Sequence, residues 1–464
     1  MTKLRLLLIF VFTVAYSQLQ AQQKHELTVK EAVELAFKNL TDVKNAQLDY
    51  QVQQALNKQI TGQALPQITG NTNITHYLQL PQLLFPDATA TAVYSILKDE
   101  GVRNGSGQPI TNVPAPMLRQ VSFQQPWNLT TGITLQQLLF QPDVFVGLQA
   151  RKAALDLSAA QIEQVKERVK DSAYKKYYAI LIAEKQLEYL NESVQRLEKL
   201  YSEAEALYKE GFSEQLDIDK FQVQLTNLRT SRNAVQNVVE ISYALLKFSI
   251  GVSQKDTVVL KDELSVDKVK EGVLDAEFKY EDRAEIRTLN YSRDLLKLDV
   301  KRYKLGFIPT VAAMANYSGN GMGQKFFTDK STTWIRSSYV GVNVSIPIFD
   351  GFQRKYKVQQ AKLNLQKLEN TIDFAKQGVD LEQTVNRASL RISLLNLDAQ
   401  QRNMELAQRV VNTTRIKLSE GVGSSSEVLL AENELQAARN NYFNALYQAI
   451  VSKISYQKAL GKLQ

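Results

Sequence analysis

Residues 148–210 contain neither Gly nor Pro. As a single helix that run would extend about 95 Å, at ~1.5 Å per residue. Gly211 ends it, and residues 212–250 are again free of both until Gly251. The pattern returns late in the chain. Residues 352–420 hold one Gly (Gly378) and end at Gly421; residues 424–460 are clean and end at Gly461. Ordinary globular helices have about 11–12 residues, so these runs predict two very long helical hairpins. Leu187, Leu190, Val194, Leu197, Tyr201, Ala204 and Tyr208 step alternately by three and four, and so do Val428, Ala431, Leu435, Ala438, Tyr442, Ala445 and Ala449. Such seams call for a neighbouring helix. They fit an antiparallel coiled coil and the wall of a larger helical barrel equally well.

Pro is confined to two windows, Pro66 to Pro142 and Pro309 to Pro347, which also hold both Trp. Val342, Val344, Ile346 and Ile348 alternate, the period of a strand. The pattern predicts strands near 67–78, 126–140, 310–318 and 335–349, with a long loop over 79–125 and a shorter one over 319–334. Tyr77, Trp127, Tyr317, Trp334 and Tyr339 suit an interfacial aromatic belt. Gly319-Asn320-Gly321-Met322-Gly323 has no Lys-Ser/Thr at phosphate-loop spacing and is read as a hairpin loop.

The two halves match each other. An offset of 210 takes Gly211 to Gly421, Leu225 to Leu435 and Gly251 to Gly461; an offset of 243 takes Ala64–Ile68 to Phe307–Val311. The chain reads as a tandem duplication: signal segment 1–21, first repeat 22–251, a lateral equatorial segment 252–281, and second repeat 282–464. Thr28 with Glu31 forms a capping box at the start of the first repeat, and Asp282 with Glu285 resembles one in the second.

Composition narrows the function. There is no Cys and there are only two His, His25 and His76, so thiol catalysis, soft-ligand metal sites and a Ser-His-Asp triad have no material. We expect no enzyme, no cofactor and no metal. Lys3 and Arg5, the apolar run Leu6–Ala15 and small residues to Ala21 make a secretory signal peptide, cleaved after Ser17 or Ala21. The net charge of +8 is mixed with acids along helices, which argues for solvated faces rather than nucleic-acid binding. No later apolar run is long enough to span a bilayer as a helix, so any membrane entry is by strands. Four strands close no barrel. Three chains would pool twelve strands around a helical tube. A secreted trimeric coiled-coil structural protein without a pore is the competing reading.

The chain from about Leu27 onward resembles the outer membrane efflux proteins, the TolC-like family. The resemblance rests on LTVKEAVELAFKNL (27–40), the paired junctions ALPQI and FIPTV, IPIFDGFQRKYKVQQAK (346–362), and the stretches 207–229 and 417–450 that flank Gly211 and Gly421. It implies a mainly α fold with membrane β: a homotrimer with a shared 12-stranded β-barrel in the outer membrane of a Gram-negative bacterium. That barrel continues into a periplasmic α-barrel. It implies an exit duct for efflux or type I secretion, docked to a periplasmic adaptor and an inner-membrane pump of RND or ABC type.

By that resemblance the tips Gly211, Phe212, Ser213, Gly421, Val422, Gly423 and Ser424 face the adaptor. Asp217 and Glu427 each lie six residues after a tip Gly, and in a trimer they would ring the entrance with carboxylates favouring cations. Each is also explained, Asp217 more readily, as an acid in the first turns of a helix. Family members hold the entrance shut with Tyr, Arg and Asp; the matching positions here are Leu418, Gly423 and Leu430. A gate in this chain would be apolar, or would use Asp217, Glu427 or Arg415.

Overall fold

The computed structural model describes residues 24–270, 277–326 and 332–463. The signal peptide expected over 1–21 lies outside them. The chain divides into two compact units. One takes residues up to Leu56, Ala150–Asp299 and those from Gln359 onward; the other takes Asn57–Gln149 and Val300–Val358.

The elements run β1 (Lys24–Leu27), α1 (Val29–Asn39), α2 (Thr41–Gln63), β2 (Gln67–His76), β3 (Leu83–Asp87), α3 (Thr89–Asp99), β4 (Met117–Val121) and β5 (Trp127–Phe140). Then come α4 (Pro142–Lys209), α5 (Gln215–Ser249), β6 (Thr257–Leu260), α6 (Val266–Lys270), α7 (Ala284–Leu305), β7 (Thr310–Gly323), β8 (Thr333–Ser345), α8 (Gln353–Ser419) and α9 (Ser425–Ala459).

The long helices follow the Gly/Pro-free runs, with Pro142 in the first helical position of α4 where its missing N–H costs nothing. All four end in one motif. The N–H of Gly211 bonds to Tyr208 O (2.9 Å) and that of Phe212 to Leu207 O (2.8 Å). Gly421, Gly251 and Gly461 each repeat the first of these bonds, and the residue after each repeats the second. This closure needs a left-handed residue, and the four Gly supply φ of 68–78°.

In the helical unit, β1 pairs in parallel with β6, which lies in the segment between the two repeats. The Tyr177 hydroxyl donates to Leu27 O (2.8 Å) and accepts from the N–H of Asp262 (3.2 Å), tying that small sheet to α4. The Thr28–Glu31 capping box is present. Its proposed counterpart is not. The helix α7 begins at Ala284, and the Glu285 carboxylate accepts from Arg283 at 2.6 Å instead of from the Asp282 backbone. Tyr177, Ile180, Leu246, Ile250, Leu397 and Ala449 lie in the main core. A second cluster joins Leu190, Val194 and Leu197 to Phe221, Leu225 and Val428, the expected seams. Full burial of each large apolar side chain is worth about 1.5–3 kcal/mol.

In the other unit, β2-β5-β7-β8 form one antiparallel sheet in that order. The expected loop over 79–125 is a correction. It holds a small two-stranded antiparallel sheet, β3 with β4, and the helix α3. The Gly319–Gly323 stretch is also strand rather than loop, paired along β7 with β5 and β8.

Candidate channel surfaces

The register of the four-stranded sheet sorts its side chains into two unlike faces. Ile68 pairs with Leu135, Ile74 with Leu129, Leu135 with Ala315, Ala315 with Val340, and Ala313 with Val342. Residues opposite each other share a face, so these positions, with Ile133 and Val344, make one apolar surface. Val340 on it is 85% exposed. The polar residues there include Thr72 and Thr131, whose hydroxyls bond each other at 3.0 Å. The opposite face carries Thr69, Asn71, Asn73, Thr130, Thr134, Asn316, Ser318, Ser337 and Asn343. There Asn316 donates to the Thr134 hydroxyl (2.9 Å), and Ser318 meets Ser337 at 2.9 Å. A sheet exposed on both sides with one dry and one wet face suits a boundary between lipid and water.

The aromatic residues divide by the same register. Trp127, Tyr317 and Trp334 stand on the apolar face. His76 stacks on Trp127 with ring centroids 4.1 Å apart, and the N–H of Tyr77 donates to Pro126 O at 2.8 Å. Trp334 lies across Gly321, where a Cβ would come within 3.2 Å of the indole. The glycines once read as a loop thus leave room for this ring. Tyr339 is a correction: it pairs with Asn316 and sits on the polar face, so it does not join a lipid-facing belt. At the other end of the strands, Phe349 and Phe352 meet edge to face at 5.5 Å, both exposed. Their period was hidden because they lie beyond the last strand, around Gly351.

The sheet edges are β2 and β8. Successive strands are antiparallel, so β2 and β8 run in opposite directions, the relation that lets the β8 of one copy pair antiparallel with the β2 of the next.

At the tips, Phe212 is 82% and Val422 78% exposed. No atom lies within 4 Å of a Cβ built on Gly211 or Gly421, whereas one on Gly423 would press on Lys417 and Leu418 at 3.0 Å. The Ser424 hydroxyl caps α9 by accepting from Glu427 N (3.2 Å), while Ser213 leaves α5 with Glu214 as its uncapped N-terminal residue. Lys220 bridges the two tips, reaching the Ser426 hydroxyl (3.0 Å) and the Asp217 carboxylate (3.4 Å). Asp217 is therefore an ion-paired acid, whereas Glu427 is exposed with no cation in ion-pair range among the described residues. Leu418 packs, partly buried, against the Leu190–Phe221 cluster. Leu430 is exposed. Arg415 is half-buried and lines a hollow of about 660 Å³ with Lys199, Glu203 and Phe221.

A polar layer that no local pattern announces crosses the helical seam. Arg439 (5% exposed) donates to Ser193 Oγ (2.8 Å) and Gln408 Oε1 (2.7 Å), and stacks 4.8 Å over Tyr189. Burial, then the neighbouring Arg196, pull its pKa down. Arg196 Nε and Glu432 Oε1 are 3.6 Å apart, an ion pair without a hydrogen bond.

Residues 282–462 match the family model described as outer membrane efflux protein. Over those residues the chain is similar to the outer membrane efflux proteins. TolC of Escherichia coli is 22% identical over 397 residues, 79% of either chain. Among solved structures, CusC, described as undergoing transmembrane channel formation, superposes with a TM-score of 0.70 at 17% identity, covering 94% of this chain and 92% of that one. The Campylobacter jejuni CmeC outer membrane channel gives 0.69 at 16% identity, covering 94% and 86%. TolC is described as an outer membrane protein and CmeC as an outer membrane channel. The long helices and few strands of this chain are the TolC-like fold.

Proposed function

We propose that this chain is an outer-membrane efflux duct, a homotrimer that takes substrate from an inner-membrane pump through a periplasmic adaptor and releases it outside without chemical change. The observation that carries the reading is the sheet. It has an apolar face, a polar face and two unpaired edges of opposite direction. Lipid does not tolerate open edges. Three copies joined β8 to β2 would close twelve strands, with the Val340 face toward lipid and the Asn316 face toward a water-filled lumen. Strands of 10, 14, 14 and 13 residues are long enough to cross.

The tips Phe212 and Val422 would meet the adaptor, their Gly neighbours leaving room for close backbone approach. Glu427 would carry most of the entrance charge. Fractionation tests the reading. Mature protein should sediment with outer membrane and need detergent for extraction. Recovery as soluble periplasmic material would favour the pore-less coiled coil instead.

A further inference from the structure

The segment between β2 and β5, residues 77–126, is folded but has no core. It contains β3, β4 and α3, yet not one of its residues is buried. Helix α3 buries nothing, although Val93 and Ile96 recur on one side of it. Between α3 and the β3/β4 pair lies an open groove of about 950 Å³, lined by Phe85, Pro86, Ala92, Val93, Ile96 and Val121. Register puts Leu84 and Leu118 on the hairpin face opposite Phe85 and Val121, and both are well exposed. The charged residues are few: Asp87, Lys98, Asp99, Glu100, Arg103 and Arg119. Ordering so many residues carries an entropy cost that only burial offsets. A folded segment with no interior of its own therefore buries its apolar surface against something else.

We infer that the occupant is the same segment of the neighbouring copy: the Leu84/Leu118 ridge of one chain seats in the Phe85–Ile96 groove of the next. Two observations select a second copy. The segment springs from His76 at the end of β2, an edge strand whose unpaired side must meet another chain. Groove and ridge are also distinct surfaces, and a head-to-tail contact of that kind repeats around a closed ring. Three segments so joined form a collar at the loop end of the barrel. The inference rests on the proposed trimer, and its test separates the two.

The chain has no Cys, so introduced pairs report without background. Full-length protein carrying Ile96→Cys and Leu118→Cys is oxidised in outer membranes. In parallel, Asn71→Cys on β2 is combined in turn with Cys at Ser337, Tyr339 and Asn343 on β8, all on the polar face. The collar predicts covalent dimers and trimers from both sets. Seam trimers with no inter-chain product from the Ile96/Leu118 pair would overturn the collar and leave the barrel standing. No inter-chain product from either set would overturn both. Labelling at Ile96 by a photoreactive acyl chain, with no inter-chain product, would assign the groove to lipid and also overturn the collar. Replacing residues 78–125 by a short Gly/Ser turn should preserve the trimer but lower the temperature at which it dissociates in SDS; an unchanged temperature would contradict the collar.

Discussion

A Cβ added to Gly461 would stand 2.6 Å from the carbonyl oxygen of Asp282. One added to Gly251 would stand 2.7 Å from Asn39 Cβ. The two contacts are related by the offsets of 210 and 243 residues that relate the two halves, and they support the reading of one unit used twice. In each, the left-handed Gly that ends a long helix lets the first helix of the same half come close.

That closeness sets a measurable order among glycines. Gly461→Ala combines an unfavourable φ of 68° with overlap onto backbone, and should cost about 2 kcal/mol or more. Gly421→Ala has a similar φ but open space around it, so only the conformational term of about 1–2 kcal/mol applies. Thermal unfolding in detergent should rank Gly461→Ala as the more destabilised. In cells the order should invert for transport: Gly421→Ala should impair efflux out of proportion to its stability if the tips dock a partner.

Val340 and Tyr339 are neighbours in sequence and opposed in register. Lys at position 340 would face lipid, at about 2–4 kcal/mol per chain near the bilayer midplane. Val340→Lys should strongly reduce the trimer recovered from outer membranes. Tyr339→Lys should assemble normally and change the ionic conductance. Equal assembly defects would mean that the faces have been assigned wrongly.

The long helices were readable because nothing in them breaks a helix, and the four sheet strands because Pro brackets a period of two. The fold of residues 77–126 was not. Its strands are short, β3 contains Pro86, and α3 follows Ala88, which offers no side-chain cap. Tyr339 was misplaced because the face of one residue depends on the whole register. The Arg439 layer joins residues 246 positions apart, Ser193 and Arg439, and no local pattern announces it. The pairing of Asp217 with Lys220, by contrast, is an i,i+3 spacing that the sequence did contain.

That pairing makes the two tip acids unequal. Glu427→Gln should lower the cation preference read from the reversal potential in a salt gradient. Asp217→Asn should lower it less, since Lys220 already offsets that charge. A larger effect from Asp217 would contradict the arrangement.

Glu167 offers a pH test. Burial raises its pKa above the ordinary 4.5, outweighing the nearby Arg283, Lys458 and Arg287. The folded state thus holds the proton more tightly than the unfolded one. The resulting stability is present below about 4.5 and is lost as pH rises through the raised folded value. Glu167→Gln should be more stable than the parent at neutral pH and should flatten that fall. Melting temperatures from pH 4 to 8 would show it, and an unchanged profile would refute it.

The central claim is that copies of this chain pool their strands into one pore. Single-channel recording of the purified protein in a planar lipid bilayer tests it most directly. The account predicts discrete, uniform conductance steps that Glu427→Gln makes less cation-selective. A protein that inserts without conducting, or that never inserts, would contradict it.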